Sequence, residues 1–268
     1  MLNCDQLLGL ATTLLKIDST NVACSLSRLA KGLNNNNYLL VVGKARYLVK
    51  EYRAHMPVDA LFQQQRLSLK NITTNPIAWH TKAQVAVFDY WPGQVYRGQE
   101  WTRFLPLLRD VHQSFRPKKH SKQDWSIDLT QEFQRIVFND ESESKAVVQA
   151  LLRLNDFPDY TAYCHNDLVI ENLLCDGESL RIIDFEFAGF NDVYFDLAAL
   201  AVSLQLAESE AMRMLRAYHE FDTSSPQANE EKLKVYRYLY IVLCKHWYLT
   251  RGYTREATQL DMQLHLWS

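Results

Sequence analysis

The side chains best suited to chemistry lie within residues 163–186. Tyr163-Cys164-His165-Asn166-Asp167-Leu168-Val169-Ile170-Glu171-Asn172-Leu173-Leu174 contains His-x-Asp-x-x-x-x-Asn, and Asp184-Phe185-Glu186 follows the apolar pair Ile182-Ile183. Oxygen-bearing side chains in this order suit phosphoryl transfer. That reaction needs a carboxylate to orient the attacking hydroxyl and take its proton. It also needs oxygen ligands that hold Mg2+ against the nucleotide phosphates. Asp167 fits the base, Asn172 and Asp184 fit the metal ligands, and His165 is expected to brace the loop by hydrogen bonding. Any of these residues alone reads equally well as a polar loop residue. Their joint spacing is what points to chemistry.

The elements around them must bring distant residues to one place. Asp176-Gly177 between two apolar runs predicts a tight hairpin over 173–183, which would fold Asp184 back toward Asn172. Upstream, residues 1–16 have the spacing of an amphipathic helix. Residues 38–42 and 46–50 read as strands joined by a turn at Gly43-Lys44-Ala45, residues 58–70 as a helix followed by a loop through Pro76, and Val85–Phe88 as a further strand. Beyond Asp89-Tyr90-Trp91-Pro92-Gly93, a strong breaker, helical patterns dominate at 99–114, 128–138, 142–155, 196–221, 229–251 and 255–267. Strands first and helices later predict an α+β chain with a small β-rich N-terminal lobe and a larger, mostly helical C-terminal lobe.

On the residues of 163–186 the chain resembles the choline/ethanolamine kinase and aminoglycoside phosphotransferase superfamily, above all bacterial choline kinase-like proteins and thiamine kinases. The resemblance extends over about residues 25–255, is specific at 163–200 and is looser elsewhere. It implies a two-lobed protein-kinase-like fold, with a nucleotide-binding lobe at 1–90 and a catalytic and substrate-binding lobe at 91–268. Protein kinases carry Arg where Asn166 stands and Asp-Phe-Gly where Asp184-Phe185-Glu186 stands, which argues against a protein substrate. Asp196, in Phe195-Asp196-Leu197-Ala198, matches an Asp-Leu-Ala of the family. As a residue type it reads as an N-cap of the next helix, and the resemblance implies that it also supports the catalytic loop.

The same resemblance assigns the nucleotide end. Gly32 with Asn34, Asn35 and the rest of the Asn run precedes the first strand, where the family has a phosphate-covering turn. Asn tolerates left-handed backbone better than most residues, so the run is expected to turn sharply as glycine would. Lys50 ends its strand where the family has a cation reaching the α/β-phosphates. The following helix contains Gln63 and Gln64 but no Glu, so either glutamine is a candidate neutral acceptor for Lys50, and the sequence leaves the anchor of the lysine open. Phe88-Asp89-Tyr90 is the expected hinge, with the backbone on the adenine edge and the flanking Phe88 and Tyr90 rings beside the base.

Substrate choice is expected in the C-terminal helices. Tyr236, Tyr238, Tyr240, Trp247 and Tyr248 lie in an acid-free stretch, 236–251, with Tyr253 and Trp267 beyond. Tyr240, Cys244, Trp247, Tyr248 and Arg251 share one helical face. Aromatic faces hold a compact cation well, and Glu186 would add a counter-charge. Trp247, Tyr248 and Glu186 are therefore the expected substrate contacts. Taken one at a time, such aromatics are more often core.

The expected function is an ATP- and Mg2+-dependent phosphotransferase acting on a small cationic alcohol such as choline, ethanolamine or thiamine. The alternatives are an aminoglycoside or sugar kinase, a nucleotide-binding pseudokinase, and a helical binding protein without kinase activity. A net charge of −2 advertises neither nucleic acid nor an anionic membrane as partner, and a homodimer is left open. Five cysteines without a C-x-x-C pair suggest free thiols. The first residues lack a basic segment followed by an apolar one, and Arg237, Lys245 and His246 interrupt the most apolar later stretch, so a cytoplasmic enzyme is expected.

Overall fold

A computed structural model describes residues 2–18, 21–29, 34–98, 100–115, 127–221 and 228–265. The chain divides into two units, Met1–Gln94 with Leu174–Phe187, and Val95–Leu173 with Ala188–Ser268.

The first unit is built on an antiparallel sheet of order β1-β2-β3-β5-β4, from β1 (Cys24–Arg28), β2 (Asn36–Val42), β3 (Ala45–Glu51), β4 (Pro76–His80) and β5 (Val85–Asp89). Buried and half-buried residues alternate along β2, so Tyr38, Leu40 and Val42 share one face. There they pack with Leu7 and Ala11 of α1 (Cys4–Leu14) and with Val85 and Val87. The alternate residues of β5, Ala86 and Phe88, join Tyr52, Met56 and Leu61 in a separate cluster. Leu61 belongs to α2 (Val58–Ser68). Residues Val85–Phe88 of β5 are thus apolar without alternation because both faces are buried, with Val85, Val87 and Phe88 each contributing about 1.5–3 kcal/mol.

Local chemistry sets the boundaries. Asn3 and Gln6 form a reciprocal capping box that starts α1. Gly43 has φ +56° in the turn pairing Val42 with Ala45, a conformation that glycine reaches without steric cost. The loop expected through Pro76 ends there, since Pro76 opens β4. At the first position of a strand its missing N–H is tolerated.

The hairpin of β8 (Leu173–Asp176) and β9 (Ser179–Ile182) turns at Gly177, φ +55°. Ile182 donates its backbone N–H to the Ile72 carbonyl at 2.8 Å, tying residues 174–187 into the first unit.

Between the sheet and this hairpin the chain forms β6 (Gln94–Val95), α3 (Leu105–His112), α4 (Leu129–Gln134), α5 (Glu141–Leu154) and β7 (Thr161–Cys164). After it come β10 (Gly189–Asp192), α6 (Val193–Ser203), α7 (Glu208–Phe221), α8 (Glu230–Leu249) and α9 (Thr254–His265). β7 and β10 pair antiparallel, with Gly189 opposite Cys164. The single helix expected over 196–221 is two helices, because Gln205 turns left-handed at φ 52° and Leu206 bonds back to the Ala201 carbonyl. Among the described residues no helix is long and apolar enough to cross a membrane.

Candidate active site

The catalytic-type loop follows β7 in the second unit. His165 and Asn166 donate their backbone N–H groups to the two carboxylate oxygens of Asp196, at 2.7 and 2.8 Å. Asp196 is 0 % exposed. It is not the cap of α6: Asp192 caps that helix, accepting from Tyr194 N–H. The cap expected at Asp196 is therefore corrected. A carboxylate within an otherwise apolar helix must find donors when buried, and here the donors are the loop amides and His112. His112 Nε2 lies 3.0 Å from Asp196 Oδ2, and its Nδ1 lies 2.6 Å from the Tyr218 hydroxyl. Burial works to raise the Asp196 pKa, but His112 and the His165 group outweigh it and hold the carboxyl below its ordinary value.

Asn166 is left-handed at φ 64°, a conformation that costs most residues roughly 1–2 kcal/mol and Asn less. Its side chain supports the turn: Nδ2 donates to the Gly189 carbonyl at 3.3 Å and Oδ1 accepts from Asn191 at 3.0 Å. This accounts physically for Asn between His165 and Asp167. The Ser203 hydroxyl at the end of α6 accepts the Ile170 N–H at 2.6 Å.

Within this frame His165 Nδ1 accepts the Asp167 N–H at 3.3 Å. Asn172 Nδ2 donates to the Asp167 carbonyl at 2.8 Å and to its carboxylate at 3.3 Å. Asp167, Asn172 and His165 therefore form one connected group. Asp167 is half-buried, whereas His165 and Asn172 are buried.

A second group forms in the first unit. Lys50, 5 % exposed near the end of β3, makes ion pairs with Asp184 at 2.5 Å and Glu186 at 3.1 Å, and its ammonium lies 5.0 Å from the Tyr52 ring centre. Burial works to lower the Lys50 pKa; Asp184, Tyr52 and Glu186 overcome this and raise it. Asp184 is left-handed, φ 68°. Two non-glycine left-handed residues, Asn166 and Asp184, thus stand in the two motifs singled out by sequence, as strained backbone often does at functional sites.

Neither glutamine anchors the lysine. Gln64 donates to Thr73, Thr74 and the Thr74 carbonyl, while Gln63 accepts from Arg66. The Asn run also differs from expectation. None of Asn35–Asn37 has positive φ, and side-chain hydrogen bonds hold the described part of the segment. Asn34 and Asn35 donate to Glu186, and Asn36 donates to Glu51 and accepts from Arg28 and Arg53. Gly32 lies outside the described residues. Phe88 is a core side chain, and Tyr90 is half-buried just beyond β5. Asp89 N–H donates to the Asn75 carbonyl at 2.9 Å, so that amide is engaged.

The aromatic helix α8 has two parts. Tyr236 and Tyr240 are core, and Tyr240 packs edge-on to Phe195 with ring centres 5.5 Å apart. Trp247 and Tyr248 are half-buried and edge-on to each other at 5.1 Å, and Tyr253 lies 6.2 Å from Tyr248. Burial, with added repulsion from Cys244, Glu171, Asp167 and Glu256, pushes the Tyr248 phenol up to about 12. Tyr248 thus stands in a field of carboxylates brought from other elements. The acid-free character of α8 in sequence does not describe its surroundings in space. Lys245 and His246 also meet Glu143 of α5. Arg251 stacks its guanidinium 4.0 Å from the Trp247 ring centre. Trp267 lies outside the described residues.

The phosphotransferase enzyme family matches residues 25–236 of the chain. Protein LicA of Haemophilus influenzae is 34% identical over 90 residues, a stretch covering 32% of this chain and 33% of LicA. The ethanolamine kinase of Saccharomyces cerevisiae is 31% identical over 148 residues, covering 49% of this chain and 24% of that enzyme. The matched stretches therefore span a third or less of these curated relatives. The crystal structure of choline kinase LicA from Streptococcus pneumoniae superposes with a TM-score of 0.77 at 20% identity, covering 96% of this chain and 98% of that one. The α+β, protein-kinase-like fold expected from the sequence is the fold observed.

Proposed function

The chain belongs to the phosphotransferase enzyme family, and on that premise we propose that it transfers the terminal phosphoryl group of ATP to the hydroxyl of a small cationic alcohol, choline, ethanolamine or thiamine. The observation that carries this reading is the Asp167–Asn172 pair on a loop hung from buried Asp196. Asp167 takes the proton of the attacking hydroxyl as its oxygen bonds to phosphorus and the bond to the β-phosphate oxygen breaks. The products are a phosphate ester and ADP. Lys50 supplies positive charge for the nucleotide phosphates.

The chemistry of two residues suits Mg2+. Asn172 directs its amide nitrogen at Asp167, which leaves its oxygen for a cation, and Asp184, in the other unit, would offer a carboxylate. Hard oxygen ligands of this kind are what Mg2+ takes. When bound, the ion neutralises charge on the phosphate oxygens.

The acceptor class rests on the Trp247–Tyr248 ring pair, of which Tyr248 lies in the electrostatic field of Asp167, Glu171 and Glu256. Aromatic faces and carboxylates together suit a desolvated cation. The same carboxylates favour a second reading, a phosphotransferase for amine-bearing sugars such as aminoglycosides. The setting is taken as the cytoplasm, consistent with cysteines that are all free.

The experiment is a coupled assay of ADP release with Mg-ATP over choline, ethanolamine, thiamine, an aminoglycoside and a neutral sugar. Acceptor-dependent ADP with one of the first three is expected. Turnover confined to the aminoglycoside or the sugar selects the alternative kinase reading. ATP binding without turnover on any acceptor would favour a nucleotide-binding pseudokinase.

A further inference from the structure

We propose that Glu186 is a positioning residue for the nucleotide end, one that clasps the Asn34-Asn35 segment against Lys50. The proposal rests on the ATP-dependent reading above. Glu186 Oε1 accepts from Asn34 Nδ2 at 3.1 Å, and Oε2 accepts from Asn35 Nδ2 and pairs with the Lys50 ammonium at 3.1 Å. The Asn35 amide continues the link, since its Oδ1 accepts the Arg53 N–H at 3.3 Å just beyond β3. The Glu186 side chain is 9% exposed and that of Lys50 6%.

All the donors converging on Glu186 are N–H groups. Two come from neutral amides and one from a cation, so the acceptor must offer oxygens only. A carboxylate does this and Gln does not, since its NH2 would face at least one donor. Glu186 also holds the ammonium from a different side chain than Asp184, so Lys50 keeps a partner when the Asp184 carboxylate turns to a metal ion. The carboxylate is engaged by protein donors, which distinguishes this role from a counter-charge offered to the acceptor alcohol. Because the clasp joins the Asn segment to Lys50, its loss should be felt in nucleotide affinity.

The test measures binding of a non-hydrolysable ATP analogue with Mg2+ by calorimetry, and KM for ATP and for the acceptor separately. The proteins are wild type, Glu186→Gln, Asn35→Ala and the double variant. We expect Glu186→Gln to weaken analogue binding roughly ten-fold or more, the scale of charge-assisted hydrogen bonds. KM for ATP should rise in step while KM for the acceptor stays within about two-fold. Asn35→Ala should cost less, and the double variant should bind much like Glu186→Gln alone, since both remove one interaction. Wild-type analogue affinity in Glu186→Gln, or fully additive losses, overturns the clasp. A raised acceptor KM with unchanged nucleotide binding also overturns it, and returns Glu186 to the acceptor. Should Glu186→Gln fold poorly by circular dichroism, Asn34→Ala with Asn35→Ala carries the same expectation for nucleotide affinity. Failure of the wild type to bind the analogue is a separate result, and it removes the ATP-dependent reading itself.

Discussion

The backbone N–H of His165 donates to the Asp196 carboxylate at 2.7 Å, across a separation of 31 residues. With the Asn166 N–H on the other oxygen, the loop bearing Asp167 is suspended from one fully buried side chain of α6. A buried carboxylate that loses its charge also loses the energy of the groups arranged around it, and breaking such a pair costs about 3–5 kcal/mol.

That arrangement sets a pH dependence. The Asp196 pKa is lower in the folded chain than its ordinary value, so the unfolded chain binds more protons in the acid range. The stabilisation is fully present above the unfolded carboxylate value and is lost as pH falls through the depressed folded value. Urea unfolding as a function of pH should show this loss in the wild type. Asp196→Asn should be less stable at neutral pH and should show a flatter acid limb. An unchanged acid limb in the variant would assign the dependence to other carboxylates.

Asp167→Asn should reduce turnover by about 10²–10⁴-fold, the usual scale for removing a general base. Nucleotide affinity should stay near wild type. The check is single-turnover phosphorylation of a proven acceptor beside a calorimetric titration with Mg-ATP. Full turnover in the variant would take the base role away from Asp167.

Asp184→Ala should weaken Mg-ATP binding and activity together, because the proposed metal-holding carboxylate and a Lys50 partner are both lost. Lys50 retains Glu186, so the variant is expected to fold. Thermal shift with ATP, with and without Mg2+, reads the effect. A Mg2+-dependent shift equal to that of the wild type would rule out Asp184 as a ligand.

The guanidinium of Arg251 covers the Trp247 face at 4.0 Å, the surface on which an acceptor cation would rest. Arg251→Ala should therefore lower KM for a cationic acceptor about two- to five-fold, the strength of an exposed cation–π contact. Trp247→Leu should remove most of a preference for cationic over neutral isosteric acceptors, about 2 kcal/mol or roughly 30-fold when desolvated. Steady-state kcat/KM for choline against its uncharged isostere measures both. If neither variant changes the ratio, Trp247 is packing and sugar-like alcohols become the better acceptor class.

Several features were legible in the residues alone because they are local. The His-x-Asp-x-x-x-x-Asn spacing sets a short loop in which Asn172 reaches Asp167. Gly43 and Gly177 mark turns only because a left-handed residue is needed there. The apolar run of Val85–Phe88 announces a strand, which the structure buries on both faces. These depend on neighbours a few positions away, and such information survives in a linear chain.

What tertiary structure alone decided are the partners of charges. Asp196 looks like a cap by residue type, and although the resemblance implies support of the loop, its burial identifies the two amides and His112 as the donors. The next helix offers Lys50 no Glu and leaves its anchor open in the sequence, and the structure supplies Asp184 and Glu186. Asn34 and Asn35 suggest a sharp backbone turn by residue type, yet their side-chain amides donate to Glu186. Helix α8 carries no acid over 236–251, yet Tyr248 feels Glu171, Asp167 and Glu256. A charge reaches through space without regard to chain order, and its energy depends on distance and burial, which no spacing of residues encodes.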